Sequence, residues 1–259
     1  MKSQPSAPRA TFQEQVLDQL GRDICSGRYR PGQVLPSEGE LCERFSFSRI
    51  VIREAIKSLA AKGLLEVRRR VGTLVLETTR WNLFDPDIIS WRAESVEADP
   101  TMSRDLMELR RIVEPAAVRL AALRASDEER KVLRAAYMAM ARAVAGKGDY
   151  VKADLAFHTT ILAACGNQFV RQMQEAMSAI LQASFKIISE KPGGPAFSLP
   201  MHEAVCVAIE AGDPVAAERA ALVLIEQAET DLRDRLNARK SVALPVAPSP
   251  AETVPAQTA

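Results

Sequence analysis

The chain has 259 residues, 47% of them hydrophobic and 26% charged, with a formal net charge of +1. It is long enough for two domains with cores of their own and too apolar for a disordered chain. No apolar stretch reaches the roughly 18 residues that a membrane span requires, and the start Met1-Lys-Ser-Gln-Pro-Ser-Ala-Pro lacks the apolar core of a signal peptide. The four cysteines, Cys25, Cys42, Cys165 and Cys206, stand singly with no C-x-x-C pair. They read as small core residues of a reduced, cytoplasmic protein rather than as a zinc-thiolate site.

Residues 1–10 read as a flexible arm. The spacing of Phe12, Val16, Leu20 and Ile24 predicts a helix over 12–26. In Leu35-Pro-Ser37-Glu-Gly-Glu40-Leu-Cys-Glu-Arg-Phe45, Ser37 and Glu40 form the S-x-x-E capping box of a second short helix. Ser46 or Ser48 can cap the next one, so the join is only a few residues long, as in a helix-turn-helix. In that third helix Ile52, Ala55, Ile56 and Leu59 form an apolar face. Arg49, Arg53 and Lys57 form a cationic row beside it, a shape suited to a DNA groove. Leu64-Leu-Glu-Val-Arg68-Arg-Arg70-Val-Gly72-Thr-Leu-Val-Leu76 predicts two strands joined at a basic tip, with Gly72 relieving the turn. Three helices followed by a hairpin make a winged helix, expected over 11–77. Arg68, Arg69 and Arg70 would meet phosphates or a minor-groove edge. Charge agrees: residues 1–80 carry 14 Lys+Arg against 9 Asp+Glu, and the remainder 20 against 24.

Residues 78–100 read as a linker and connecting helix whose aromatics, Trp81, Phe84 and Trp91, are expected to pack on the second domain. From 101 to 238 the pattern is helical throughout, with helices predicted over 102–124, 127–145, 149–164, 168–189, 199–211 and 214–237. Ser126-Asp-Glu-Glu129 is a second capping box. The Pro- and Ala-rich stretch over 239–259 reads as a disordered tail. The fold class is therefore mainly α, a winged helix-turn-helix followed by an all-helical bundle.

The chain has only two histidines, and both fall on apolar stripes. Asp154 and His158, at i and i+4, point the same way from one helix. His202 shares a face with Val205, Cys206 and Ile209. Several such groups facing into a bundle build a metal or anion pocket, although each histidine also reads as a satisfied core residue. Arg110 lies in line with Leu106, Val113 and Ala117, an inward arginine that wants an anion: a carboxylate of the protein, Asp154 or Glu114, or one on a ligand.

Residues 27–76 resemble the GntR-type winged helix. Gly27-Arg-Tyr-Arg-Pro-Gly32, Leu35-Pro-Ser-Glu38, Leu41, Ser48-Arg49, Arg53-Glu-Ala55, Leu59, Gly63-Leu-Leu65 and Gly72-Thr73 fall in that pattern's order and spacing. The resemblance implies that Ser48, Arg49 and Arg53 contact operator DNA. The full DNA-facing set is Ser37, Ser48, Arg49, Arg53, Lys57, Arg68, Arg69, Arg70 and Gly72. Two positions depart from the pattern: Gly39 stands where an arginine is usual, and Arg70 where the wing tip usually has a glycine.

Glu108-Leu-Arg110-Arg-Ile-Val-Glu114, Asp154-Leu-Ala-Phe-His158, Gly166-Asn167, His202 with Ala208-Ile209, and Gly212-Asp213 through Ala217 resemble the all-helical ligand-binding (FCD) domain of the FadR-like branch of that family. Many members of the branch hold a divalent, zinc-like metal with one Asp and three His. Asp154, His158 and His202 match three of those positions, and the fourth falls on Leu224, which cannot ligate. The linker from Arg80 to Trp91 and the run Val113-Glu-Pro115 are similar to galactonate-type repressors of sugar-acid catabolism. The resemblance implies a homodimer on double-stranded operator DNA, no membrane association, and a sugar-acid effector held by Arg110, Asp154, His158 and His202. Two alternatives differ in kind: a regulator sensing a dicarboxylate or a fatty acyl thioester, and a metal-dependent enzyme. The chain has no H-E-x-x-H motif to favour the last.

Overall fold

The computed structural model describes residues 11–94, 100–188 and 194–242. The expected arm over 1–10 and nearly all of the expected tail lie outside them. Thr11 and Glu14 cap helix α1, Phe12–Cys25, reciprocally. Ser37 and Glu40 do the same for α2, Glu38–Phe45, which the left-handed Ser46 terminates. Helix α3, Arg49–Ala61, follows, with Ser48 at the N-cap position. Strands β1, Leu65–Arg68, and β2, Gly72–Val75, pair antiparallel from Leu65↔Val75 to Arg68↔Gly72. The buried Val16, Leu20, Leu41, Ile52, Leu59 and Val75 close the core of this head.

A short 3-10 turn, Thr78–Arg80, leads to α4, Pro86–Ala93, capped by Asp85. The linker tryptophans do not follow the expectation that they pack on the bundle: Trp81 and Trp91 both enter the head's core. Each finds a polar partner there. Trp81 donates its indole N–H to the Leu76 carbonyl at 2.9 Å, and Trp91 donates to Asp18 Oδ1 at 2.7 Å. Further polar ties join the head to α4: Lys62 Nζ lies 2.7 Å from Asp85 and 2.8 Å from Asp87, and Arg22 pairs with Glu94. On the other side of α4, Ile89 belongs to the core of the bundle. One short helix is thus shared by two cores.

The bundle comprises α5, Pro100–Arg124; α6, Asp127–Val144; α7, Tyr150–Ala164; α8, Gln168–Gln172; α9, Gln174–Ile188; α10, Gly194–Glu210; and α11, Pro214–Val242. Most helix ends fall within two residues of expectation, and three features differ by more. The single helix predicted over 168–189 is interrupted at Met173, whose N–H turns back to the carbonyls of both Phe169 and Val170. Helix α10 starts at Gly194, before the predicted 199, because Pro195 lies in the first turn, where its missing N–H leaves no bond unmade. Helix α11 continues to Val242, past the predicted start of the tail. The core is built around Phe157, Ile161, Met177, Ile180, Cys206 and Ile209. As expected, the cysteines are free thiols: Cys165 and Cys206 are buried, and Cys25 and Cys42 half-buried.

Two substitutions test this packing. A Cβ added at Gly21 would lie 2.5 Å from the Trp91 ring, so Gly21→Ala is expected to lose about 1–3 kcal/mol in a denaturant melt. An unchanged melt contradicts the seating of α4 on the head. Arg70 sits at φ 67°, a left-handed conformation that costs a residue with a side chain about 1 kcal/mol. Arg70→Gly is expected to raise stability by roughly that amount; a loss shows that the Arg70 side chain holds the tip.

Candidate functional site

Two places concentrate chemistry. On the head, α3 projects Arg49, Ile50, Arg53 and Lys57 outward while Ile52, Ala55, Ile56 and Leu59 anchor it. Ser48 is exposed and makes no side-chain cap bond, so its hydroxyl is not used by the helix it precedes. Arg53 Nε donates to both carboxylate oxygens of Glu38, at 3.0 and 2.8 Å. Lys57 pairs with Glu54 at 2.7 Å. The Ser37 hydroxyl closes the α2 capping box, donating to Glu40 Oε2 at 2.7 Å and accepting from the Glu40 N–H. At Gly39 an added Cβ would meet only Ser37 Oγ at 3.8 Å, so the fold does not demand glycine there. Arg69 and Arg70 are exposed at the wing tip, and Arg68 pairs with Glu66 at 2.8 Å. Gly72, at φ 114°, lets β2 begin beside Val34.

The second place is a small, open-mouthed cavity in the bundle. Helix α5 contributes Arg110; α7 contributes Tyr150, Asp154 and His158; α10 contributes Ser198 and His202; α11 contributes Leu224, Gln227 and Asp231. Arg110 is 1% exposed, whereas its neighbour Arg111 faces solvent and pairs with Glu226 and Glu229. Of the two carboxylates the sequence offered to Arg110, the structure selects Glu114, whose Oε1 accepts from Arg110 Nε at 2.6 Å. The other Glu114 oxygen lies 3.0 Å from His158 Nδ1. His158 Nε2 is 3.4 Å from Asp154 Oδ1, and His202 Nε2 is 3.0 Å from the same oxygen. His202 Nδ1 lies 2.9 Å from the Ser198 carbonyl, so that nitrogen carries the proton and donates.

These contacts set the electrostatics. Burial pushes the Glu114 carboxyl up, but Arg110 and His158 more than offset it and hold it at about 2. Burial opposes a charge on His158, yet the Glu114 and Asp154 carboxylates raise it to about 9. Asp154 is also buried, and its two histidine neighbours hold it well below the usual carboxylate range.

The three residues from α7 and α10 have the donor chemistry of a divalent-metal site. Each histidine has Nδ1 against an acceptor, a carboxylate for His158 and a carbonyl for His202. That arrangement orients Nε2 as the ligating nitrogen. One potential ligand atom from each of Asp154, His158 and His202 lies within 4.8 Å of the others. Asp154 Oδ1 is buried and accepts no well-directed hydrogen bond, although both ring nitrogens are near. Both histidine Nε2 atoms flank that single oxygen, so the three potential ligand atoms form one compact group. Leu224 lines the same cavity and presents only carbon there.

The structure therefore brings Arg110, Asp154, His158 and His202 together, as the sequence suggested, with Glu114, one of the two partners expected for Arg110, and adds Tyr150, Ser198, Gln227 and Asp231. Spacing carried a signal for some of these. Arg110 with Glu114, and Gln227 with Asp231, are i, i+4 pairs, and Gln227 Nε2 does donate to Asp231 Oδ1 at 3.1 Å. Tyr150 and Ser198, whose hydroxyls lie 2.9 Å apart, carried none.

Comparison with known proteins bears on both places. Residues 12–75 match the family described as bacterial regulatory proteins, gntR family, and residues 105–227 match the FCD domain. The galactonate operon transcriptional repressor of Escherichia coli (strain K12) is 34% identical over 223 residues, covering 85% of this chain and 96% of that protein. The HTH-type transcriptional regulator Mce2R of Mycobacterium tuberculosis is 30% identical, covering 86% and 92%. The solved structure of Lar, which controls the expression of the Listeria monocytogenes agr system, superposes with a TM-score of 0.63 at 17% identity, over 88% of this chain and 99% of that one. The last shares the fold. The chain belongs to the gntR family and carries an FCD domain: it is a transcriptional regulator, and the enzyme alternative is set aside.

The pocket predicts a linked response to metal and pH. His158 is raised from 6.5 to about 9, so its proton stabilises the fold fully below 6.5, and that contribution is lost as pH rises through about 9. Zinc is expected to raise the melting temperature of chelator-treated protein, and more at about pH 8 than at about pH 6, since the ligating nitrogen must be deprotonated. His202→Ala should abolish the gain. No shift with zinc, nickel or manganese at either pH contradicts the metal reading.

Proposed function

We propose that this gntR-family regulator represses a sugar-acid catabolic operon and releases its operator when a galactonate-like acid enters the bundle pocket. One observation carries the reading: a cavity in the bundle, walled by Arg110 and by hydroxyl, amide, imidazole and carboxylate groups, in a chain 34% identical to a galactonate operon repressor. A polyhydroxy carboxylate matches that wall group for group. Arg110 faces the carboxylate end, and Tyr150, Ser198, Gln227 and Asp231 face hydroxyls. A fatty acyl thioester suits the same wall poorly, because its chain would leave buried carboxylates unpaired.

Asp154, His158 and His202 would hold a divalent metal, with Glu114 fixing the His158 ring. Bound there, the metal supplies a positive centre that neutralises Asp154 and attracts an acid's oxygens. Leu224 offers no ligand atom, so the chain would supply three donors to that centre.

The DNA-binding unit spans 11–77 and the effector unit 101–238. Ser48 at the N-cap of α3 and Arg49, Arg53 and Lys57 within it enter the major groove. Ser37 stands at the N-terminus of α2, while Arg68, Arg69 and Arg70, on a turn admitted by Gly72, meet phosphates or the minor groove. One short recognition helix covers a half-site, so the operator is palindromic and the regulator acts as a homodimer in the cytoplasm. Effector binding reorients the two heads through α4, whose Ile89 packs in the bundle core and whose Ile88 and Trp91 pack in the head core. The energy required is that of an ordinary allosteric coupling, about 1–3 kcal/mol.

Two substitutions separate the halves. Arg53→Ala is expected to abolish the gel shift of an operator duplex while thermal stabilisation by galactonate persists; unchanged operator affinity refutes the assignment of α3. Arg110→Ala is expected to keep the shift but lose release by galactonate; normal release removes Arg110 as the carboxylate anchor.

A further inference from the structure

We infer that Glu38 is a positioning residue for base readout: it holds Arg53 so that the guanidinium tip meets a guanine edge instead of a phosphate. The inference rests on the reading of α3 as the recognition helix. Its starting point is the contact across the helix-turn-helix, between the first residue of α2 and the second turn of α3. Both Glu38 oxygens accept from one nitrogen, Arg53 Nε, at 3.0 and 2.8 Å. The Arg53 side chain is 59% exposed and that of Glu38 37%. An exposed pair of this kind adds little to stability, so stability does not explain its place at the centre of the DNA-facing surface.

Geometry and charge supply an explanation. A guanidinium offers two edges for paired hydrogen bonds, one made with Nε and one made by the two terminal nitrogens. Glu38 occupies Nε, which leaves the terminal edge of this largely exposed side chain to another acceptor. That edge matches the O6 and N7 acceptors of guanine in the major groove. Next to DNA, a carboxylate weakens binding to any phosphate chain. Placed here it does so selectively: it repels a phosphate approaching Arg53 and gives the arginine a partner it would lose by swinging toward the backbone. Glu38 therefore trades general affinity for discrimination, the repulsive element that specificity calls for. Ser37 and Glu40 fix the start of α2 and so fix the Glu38 backbone.

The test uses the full-length protein and a duplex selected from a library with a randomised core. At low salt, where phosphate contacts sustain residual binding, Arg53→Ala identifies the base pair whose preference depends on that arginine. Wild type and variants are then compared on the selected duplex, on the same duplex with that pair changed, and on random competitor, across a salt series. Glu38→Ala is expected to cut the preference for that pair about tenfold, to tighten binding to competitor, and to steepen the salt dependence by about one phosphate contact. Glu38→Gln, whose amide oxygen still accepts from Nε, is expected to keep most of the preference while also tightening competitor binding. Equal loss on every duplex, or an unchanged preference in Glu38→Ala, overturns the proposal. If Glu38→Ala does not fold, an unaltered competitor affinity in Glu38→Gln overturns it as well. Should Arg53→Ala itself leave every preference intact, the recognition-helix reading fails first, and the two failures remain distinct.

Discussion

A chain of buried charges runs through the bundle, and the rest of the molecule's behaviour depends on how it is closed. Arg110 neutralises Glu114, Glu114 fixes His158, and both histidines converge on Asp154. Groups of this kind are costly to bury unless each finds a partner, and well-packed apolar residues would often serve stability better. The pairing satisfies one end of the chain through Arg110. The other end finishes on a carboxylate oxygen without a well-directed donor. A cavity opens at that end, lined by further polar groups of α10 and α11. Stability alone gives no reason for the arrangement; the proposed recognition of a cation with an oxygen-rich ligand would supply one.

The path from this cavity to the DNA-facing surface is short. Helices α7, α10 and α11 line the pocket; α9 packs on α7 and α11, and α4 packs on α9 and on α1. Helix α4 sits against the head through a tryptophan that only a glycine at position 21 admits, with Lys62 and Arg22 bonded across the join. Head and α4 form one packed unit, and the bundle grips the opposite face of the same helix through Ile89. In the proposed mechanism a small rearrangement on the bundle side reaches the head as a rigid displacement, because close-packed interfaces shift in steps and do not deform smoothly.

Much of this was legible in the sequence, for identifiable reasons. Period and capping determine helices locally, so Ser37 with Glu40 and Ser126 with Glu129 mark two starts that the structure reproduces as reciprocal caps. The inward and outward arginines at 110 and 111 differ by one step on a helix wheel, and that step alone separates 1% exposure from a solvent-facing ion pair. What stayed hidden depends on which surfaces meet. Nothing local tells Trp81 and Trp91 that the head, not the bundle, holds the matching carbonyl, carboxylate and glycine. The break at Met173 has neither glycine nor proline to announce it, and Gly-Pro at 194–195 reads as a loop until the helix starts there. Tyr150 and Ser198 lie 48 residues apart and become one feature only when α7 and α10 pack side by side. The Glu38–Arg53 contact is hidden for the same reason: 15 residues and a turn separate its halves.

The central claim is that occupancy of the bundle pocket governs the grip of the head on DNA. A fluorescence-anisotropy titration of galactonate into the full-length protein, held on a labelled operator duplex in the presence of zinc, tests it most directly. The account predicts that the duplex dissociates as galactonate is added to the wild type and stays bound to the His202→Ala protein. Dissociation of both proteins at the same concentration, or of neither, would contradict it.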